Sequence, residues 1–223
     1  AADQLNVGGL LNKNGTSSDG GTTYNLAAAD NWVAGAAASE NISDASGNGI
    51  TVSNVASPTL SSAAYNASSG VLTVTGTSFV KNDGSANDID VSKLSITGEG
   101  GSTYTLTSSD VEVSSNTSFS VTLNAADQLN VGGLLNKNGT SSDTGNIYNI
   151  AAADNWLAGA AASSDISDAS GNGITVSNLF LMHGKLQKTG SEDLGGGLKE
   201  NFLLASLSRL AFHLTSPVFL SRA

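Results

Sequence analysis

Apolar and polar residues alternate through the middle of the chain. Phe119, Val121 and Leu123 are separated by Ser120 and Thr122, and Leu72 with Val74 and Leu94 with Ile96 keep the same period of two. Successive side chains of a strand point to opposite faces, so this pattern predicts strands with one face on a core and one in water. Strands are expected at Thr59–Tyr65, Val71–Thr75, Ile89–Thr97, Thr103–Leu106, Val111–Val113, Ser118–Leu123 and Ile174–Val176, all rich in β-branched residues. The segments 66–70, 82–84 and 98–101 between them supply Asn, Asp and Gly, which tolerate the left-handed backbone of tight turns. Asn124 is placed to cap a helix over Ala125–Lys137 that ends at Asn138-Gly139, with Gly132-Gly133 weakening its middle. A second helix is expected over Ala151–Ala162, around Trp156. Seven short strands of this kind predict an all-β sandwich with Leu72, Val74, Leu94, Ile96, Phe119, Val121 and Leu123 in its core and one or two short helices inserted before the last strand.

An internal repeat organises the chain. Residues 1–54 match 125–178 at 47 of 54 positions, the mark of successive copies of one unit. The only complete unit is therefore 55–178. Residues 1–54 are the C-terminal part of a preceding repeat, and 179–223 are an unrelated tail. That tail carries a net charge of +2 against −12 for the repeats, together with both histidines, both arginines and the single methionine. So sharp a break reads as a fusion, cloning scar or frame-shifted end, with a genuine C-terminal domain as the alternative. The incomplete copy lacks the strands its apolar face would pack on. It is expected either to be loosely ordered or to compete with its twin for the sheet of residues 55–124, with connectivity favouring the downstream copy. Neighbouring units are expected to join through a short linker near Asn54–Pro58.

The segments SPTLSSAAYNASSGVLTVTGTSFV, NDIDVSKLSITGEGGSTYTL, SFSVTL and DASGNGITVSN resemble repeats of very large bacterial surface and calcium-dependent adhesin-type proteins. The likeness covers residues 1–178 and has an immunoglobulin-like or TIG-like cast. It implies an immunoglobulin-like β-sandwich repeat, an extracellular cell-surface location, and a role as spacer or adhesive module whose partners are neighbouring repeats and a host glycan or protein.

Composition narrows the alternatives. The residues are 39% hydrophobic, 13% charged and only 5% aromatic, a balance suited to turn-rich β-structure. Cysteine is absent, which excludes disulfides and thiol catalysis. A net charge of −10 provides no basic face to displace counterions from nucleic acid, so no nucleic-acid partner is expected. The apolar run from Phe202 to Leu220 is broken by Arg209, His213 and Pro217, so no membrane insertion is expected, and Ala1–Gln4 lacks the basic start of a secretory leader.

No catalytic constellation emerges. Asp143-Thr144-Gly145 spells an aspartic-protease triplet, but its twin reads Asp19-Gly20-Gly21 and it has no second carboxylate, so a loop is expected. The only histidines, His183 and His213, lie in the tail, leaving the many serines without a base. The segment Asp168-Ala169-Ser170-Gly171-Asn172-Gly173 sets oxygen ligands at alternate positions, as in the first half of a calcium loop. Asp165, Asp168, Ser170 and Asn172 are thus candidate Ca2+ ligands, with Asp44, Ser46 and Asn48 equivalent in the first copy. The closing carboxylate is missing, because the twelfth position is Leu179 or Val55. Calcium would need help from Asp154 or from Asp88–Asp90, and the competing reading is an Asx turn feeding the last strand. Trp32 and Trp156, one per copy, read as buried anchors, with a glycan platform as the alternative.

Overall fold

A computed structural model describes residues 2–179. The reading of the tail as a fusion or frame-shifted end concerns residues outside that range, Leu179 apart. The elements in chain order are α1 (Ala2–Leu10), β1 (Thr59–Asn66), β2 (Val71–Thr77), β3 (Leu94–Thr97), β4 (Thr103–Thr105), β5 (Val113–Ser115), β6 (Ser118–Thr122), α2 (Ala125–Leu134), β7 (Asn149–Ala152) and β8 (Gly173–Ser177). Their placement follows the alternation: Phe119 and Val121 on β6 face inward, as do Leu72 and Val74 on β2 and Leu94 and Ile96 on β3, and all are fully buried. Asn124 caps α2 as expected, its side-chain oxygen accepting from the Asp127 amide at 2.8 Å.

All eight strands join one curled, mixed sheet in the order β4-β3-β7-β8-β1-β2-β6-β5. The expected sandwich consists of two sheets. Here the hydrogen bonds run through a single one that bends around its own core. Every pairing is antiparallel except β1 with β8, whose register runs from Ser62 opposite Gly173 to Asn66 opposite Ser177. The first and last strands of the unit are thus parallel neighbours. The chain enters β1 at one end of the sheet and leaves β8 at the other.

At the centre of the core Trp156 meets Phe79 edge-on at 5.4 Å and Phe119 at 6.2 Å between ring centroids. Its indole N–H donates to the Ile166 carbonyl at 2.8 Å, so burial strands no polar group. The second helix, expected over Ala151–Ala162, does not form. Ala151 and Ala152 belong to β7 and pair with Ser95 and Leu94. Asn155 then takes a positive φ of 60°, which ends any helix, and Asp154 accepts the Asn155 and Ile166 amides. Alanine-rich sequence favours helix locally. The hydrogen bonds that β3 offers, and the aromatic pocket waiting for Trp156, outweigh that preference.

Candidate functional site

The first copy, residues 2–54, is not inserted in the sheet. It keeps the local hydrogen bonds of its twin. Trp32 donates to Ile42 as Trp156 does to Ile166, the Ile42 amide donates to Asp30 as Ile166 does to Asp154, and Asn31 and Asn155 share a φ of 60°. Bridges Gly15–Val52 and Ala28–Asp44 repeat Gly139–Val176 and Ala152–Asp168. What differs is the partner. Residues 149–152 and 173–177 become strands because β3 and β1 hydrogen-bond to them, while the equivalent residues of the first copy, alike but for Leu26 in place of Ile150, form only isolated bridges.

The first copy docks on the flank of the complete unit through a face that its twin leaves open. The Leu5 carbonyl accepts from the Lys81 amide at 3.2 Å, and Asn12 Nδ2 donates to the Gly159 carbonyl at 3.1 Å. Asp19 accepts from the Ser163 amide and hydroxyl at 3.0 and 2.7 Å while pairing with Lys13 at 2.9 Å. The hydrogen bond from Lys13, reinforced by those from Ser163, lowers the Asp19 carboxyl to about 2, so this contact keeps its charge at all but strongly acidic pH. Between Asn54 and Pro58, Val55 N–H donates to Asn14 Oδ1 at 3.0 Å. The same bond recurs in the second copy, from Leu179 N–H to Asn138 Oδ1 at 2.9 Å.

Two glycines make the approach close. A Cβ on Gly9 would land on the Lys81 carbonyl oxygen, and one on Gly8 would meet Val80 Cγ1 at 2.7 Å. Their equivalents Gly132 and Gly133 on α2 have nothing within 4 Å. The ledge they meet is held from within: Lys81 Nζ binds Glu112 at 2.9 Å, and buried Asp88 accepts the Asn82 amide at 2.6 Å and the Val113 amide at 2.9 Å. Burial pushes the Asp88 carboxyl above the usual carboxylate range, against those two bonds, and the neighbouring Glu112 adds to the rise. The hydrogen bond from Lys81 holds Glu112 below that range. Sequence reading missed this site, although a Gly-Gly pair retained mid-helix in both copies is the signal that could have found it, since each glycine costs such a helix about 1 kcal/mol. Gly9→Ala should detach the first copy, seen as loss of amide-exchange protection at Lys81 and Ser163. Gly133→Ala should instead raise the unfolding free energy by about 0.5–1 kcal/mol, read from urea denaturation.

The residues proposed for calcium have other partners. Asp168 Oδ2 accepts the Leu60 amide at 2.9 Å, clamping the start of β1, and its Oδ1 accepts from Asn172 Nδ2 at 2.8 Å. The Asn172 amide donates to Asn149 at 3.0 Å, Asp165 accepts the Ser167 amide at 2.9 Å, and Ser170 is exposed. In the first copy Asn48 bridges to Asn25 and Leu26, while Asp44 and Ser46 are exposed. Asp90 caps the turn at Val91–Lys93 through the Ser92 amide, and Asp88 serves the ledge. Among the described residues no three acidic or histidine side chains converge on a point that could hold a metal ion. Asp143-Thr144-Gly145 lies in a loop, where Thr144 donates its hydroxyl to Asn146 at 2.8 Å. Trp156 is fully buried and Trp32 is 63% exposed, so one sequence context yields both an anchor and a bare indole.

Comparison with protein-family models, with curated proteins and with solved structures yields no match.

Proposed function

We propose that the chain is a stretch of a non-catalytic, tandem-module protein of the bacterial surface, in which each unit docks on the next to form a stiff extracellular spacer bearing adhesive contacts. One observation carries this reading: near-identical sequence in two successive copies, with the first seated on the second by hydrogen bonds and glycine contacts that a freely jointed linker would lack. The parallel placement of β1 beside β8 supports it, because the chain advances from one end of each unit to the other. Arrays of this type gain length by repeating a unit and its neighbour interface. Immunoglobulin-like kinship belongs to the same proposal, drawn from the turn and strand motifs of residues 55–178. The alternative of a glycan- or protein-binding module built on Trp156 is not favoured by that residue's burial.

Small-angle X-ray scattering on chains of one, two and four units tests the reading. The maximum dimension is expected to rise by a constant increment per unit, with a cross-section that stays unchanged. Growth as the square root of unit number, the behaviour of a flexible chain, would refute stiff docking.

A further inference from the structure

We infer that the junction is a proton-sensitive latch: seating the first copy and protonating Asp88 favour each other, so mild acid tightens the contact between successive copies. The first copy rests on two backbone seats. The Lys81 amide donates to the Leu5 carbonyl, and the Gly159 carbonyl accepts from Asn12. Each seat is the chain neighbour of a residue bonded to Asp88. The Asn82 amide donates to Asp88 Oδ1 at 2.6 Å, and the Ala158 amide donates to the Asp88 main-chain carbonyl at 2.8 Å. One fully buried residue therefore braces both places where the copies meet.

The docked helix covers this brace. Lying across Lys81, α1 shares one groove with Asn82 and another with Val113, and Val113 is the second amide donor to the Asp88 carboxyl, at 2.9 Å. Lifting α1 opens the ledge to water. Burial is the largest cause that raises the Asp88 carboxyl above the usual carboxylate range, so hydration of the ledge brings it back down. A carboxyl that holds its proton more tightly in the docked state takes one up on docking. By linkage, docking then strengthens as pH falls through the docked value and gains nothing more below the undocked one.

The surrounding charges leave that sign intact. Lys81 Nζ stands 3.9 Å from Asp88 Oδ2 and 2.9 Å from Glu112 Oε2, all within the ledge. Glu112 adds to the rise at Asp88 and is itself held below the usual range by the hydrogen bond from Lys81, so it keeps its charge while Asp88 titrates. The only ionisable side chain on α1 is Asp3, which is exposed, as is Asp83 on the loop. Ala158 and Gly159 bring none. Farther along the junction Asp19, lowered to about 2 by its bonds from Lys13 and Ser163, stays charged throughout. The copies thus remain tied while the ledge responds.

Such a latch rests on the proposed array for its use, yet it can be measured in this chain alone. Carbon-13 NMR of the aspartate carboxyls gives the titration of Asp88 in the native chain and in Gly9→Ala, where the first copy is expected to be detached. Asp88 should titrate at higher pH in the native chain. Hydrogen exchange supplies a second measurement: from about pH 7 to about pH 4 the protection factor of the Lys81 amide should rise by about fivefold or more. That rise should vanish in Asp88→Asn, whose side chain cannot titrate. Coincident titrations, or a native Lys81 protection factor that stays level or falls, would overturn the latch. So would a rise that persists undiminished in Asp88→Asn, which would assign it to repulsion relieved at other carboxylates. Should Gly9→Ala stay docked, as judged from Ser163 protection, the exchange measurements decide alone; the native arm needs no substitution at Asp88. Failure would leave the scattering increments of a stiff array at neutral pH intact, so the two readings fail separately.

Discussion

Trp156→Ala is expected to lower the unfolding free energy by about 3–5 kcal/mol, the usual cost of deleting a buried indole and leaving a cavity, while Trp32→Ala changes it by less than about 0.5 kcal/mol. The comparison is unusually clean. Both indoles sit in the sequence Ala-Asp-Asn-Trp, both follow an asparagine with φ of 60°, and both donate to a backbone carbonyl ten residues on, at 3.0 and 2.8 Å. Local structure cancels, leaving contact with Phe79 and Phe119 as the difference. Urea denaturation of the two variants, followed by circular dichroism, checks it. Equal effects would mean that the first copy is itself packed in solution.

The second large effect is electrostatic. Asp127 is fully buried at the first turn of α2, where its carboxylate accepts from Thr107 and Ser108 through both amides and both hydroxyls, and from the Tyr104 hydroxyl. Burial by itself would raise its pKa; these bonds outweigh it and leave the carboxyl below the usual carboxylate range. Asp127→Ala strands those donors in the interior and should cost about 3 kcal/mol at neutral pH, whereas Asp3→Ala, at an exposed position, should fall within about 0.5 kcal/mol. The sign of the pH dependence follows. A group with a depressed folded pKa contributes stability that is present above its unfolded value, about 3.9, and is lost as pH falls through the folded value. The gap between the native chain and Asp127→Ala should therefore narrow below about pH 4. Asp88 acts in the opposite sense, since its raised pKa means a contribution present at low pH and lost as pH rises through the folded value. Denaturant titrations of both proteins from pH 7 to pH 2 separate the two. A gap that widens in acid would contradict the assigned hydrogen bonds.

Much of the core was legible, because a period of two reports only which side of a strand faces inward, and the seven residues it selects are all buried. Topology was not. The pairing of β1 with β8 joins residues more than a hundred positions apart, and no local pattern encodes it. The failure at Ala151–Ala162 has the same root: helix propensity is a property of the segment, whereas strand formation here depends on what β3 offers. The repeat located the first copy but not the junction, which rests on a Gly-Gly pair whose close approach only the structure shows. Within residues 25–48 the side chains of Asp30, Asn41 and Asn25 accept from the backbone amides of Ile42, Ser43 and Asn48, local bonds that do not depend on a sheet.

The parallel placement of β1 beside β8 also decides how a unit meets force. Tension along an array pulls Thr59 one way and Ser177 the other, and because the two strands run in the same direction the load slides them past each other. Their five paired positions, Ser62–Asn66 against Gly173–Ser177, are then strained together and must yield together. Antiparallel terminal strands, by contrast, would have both loaded ends on the same side and could peel apart one bond at a time. Forced unfolding is governed by the unfolding rate and not by equilibrium stability. A unit with this strand order can thus be mechanically durable while only modestly stable, as the proposed spacer would require.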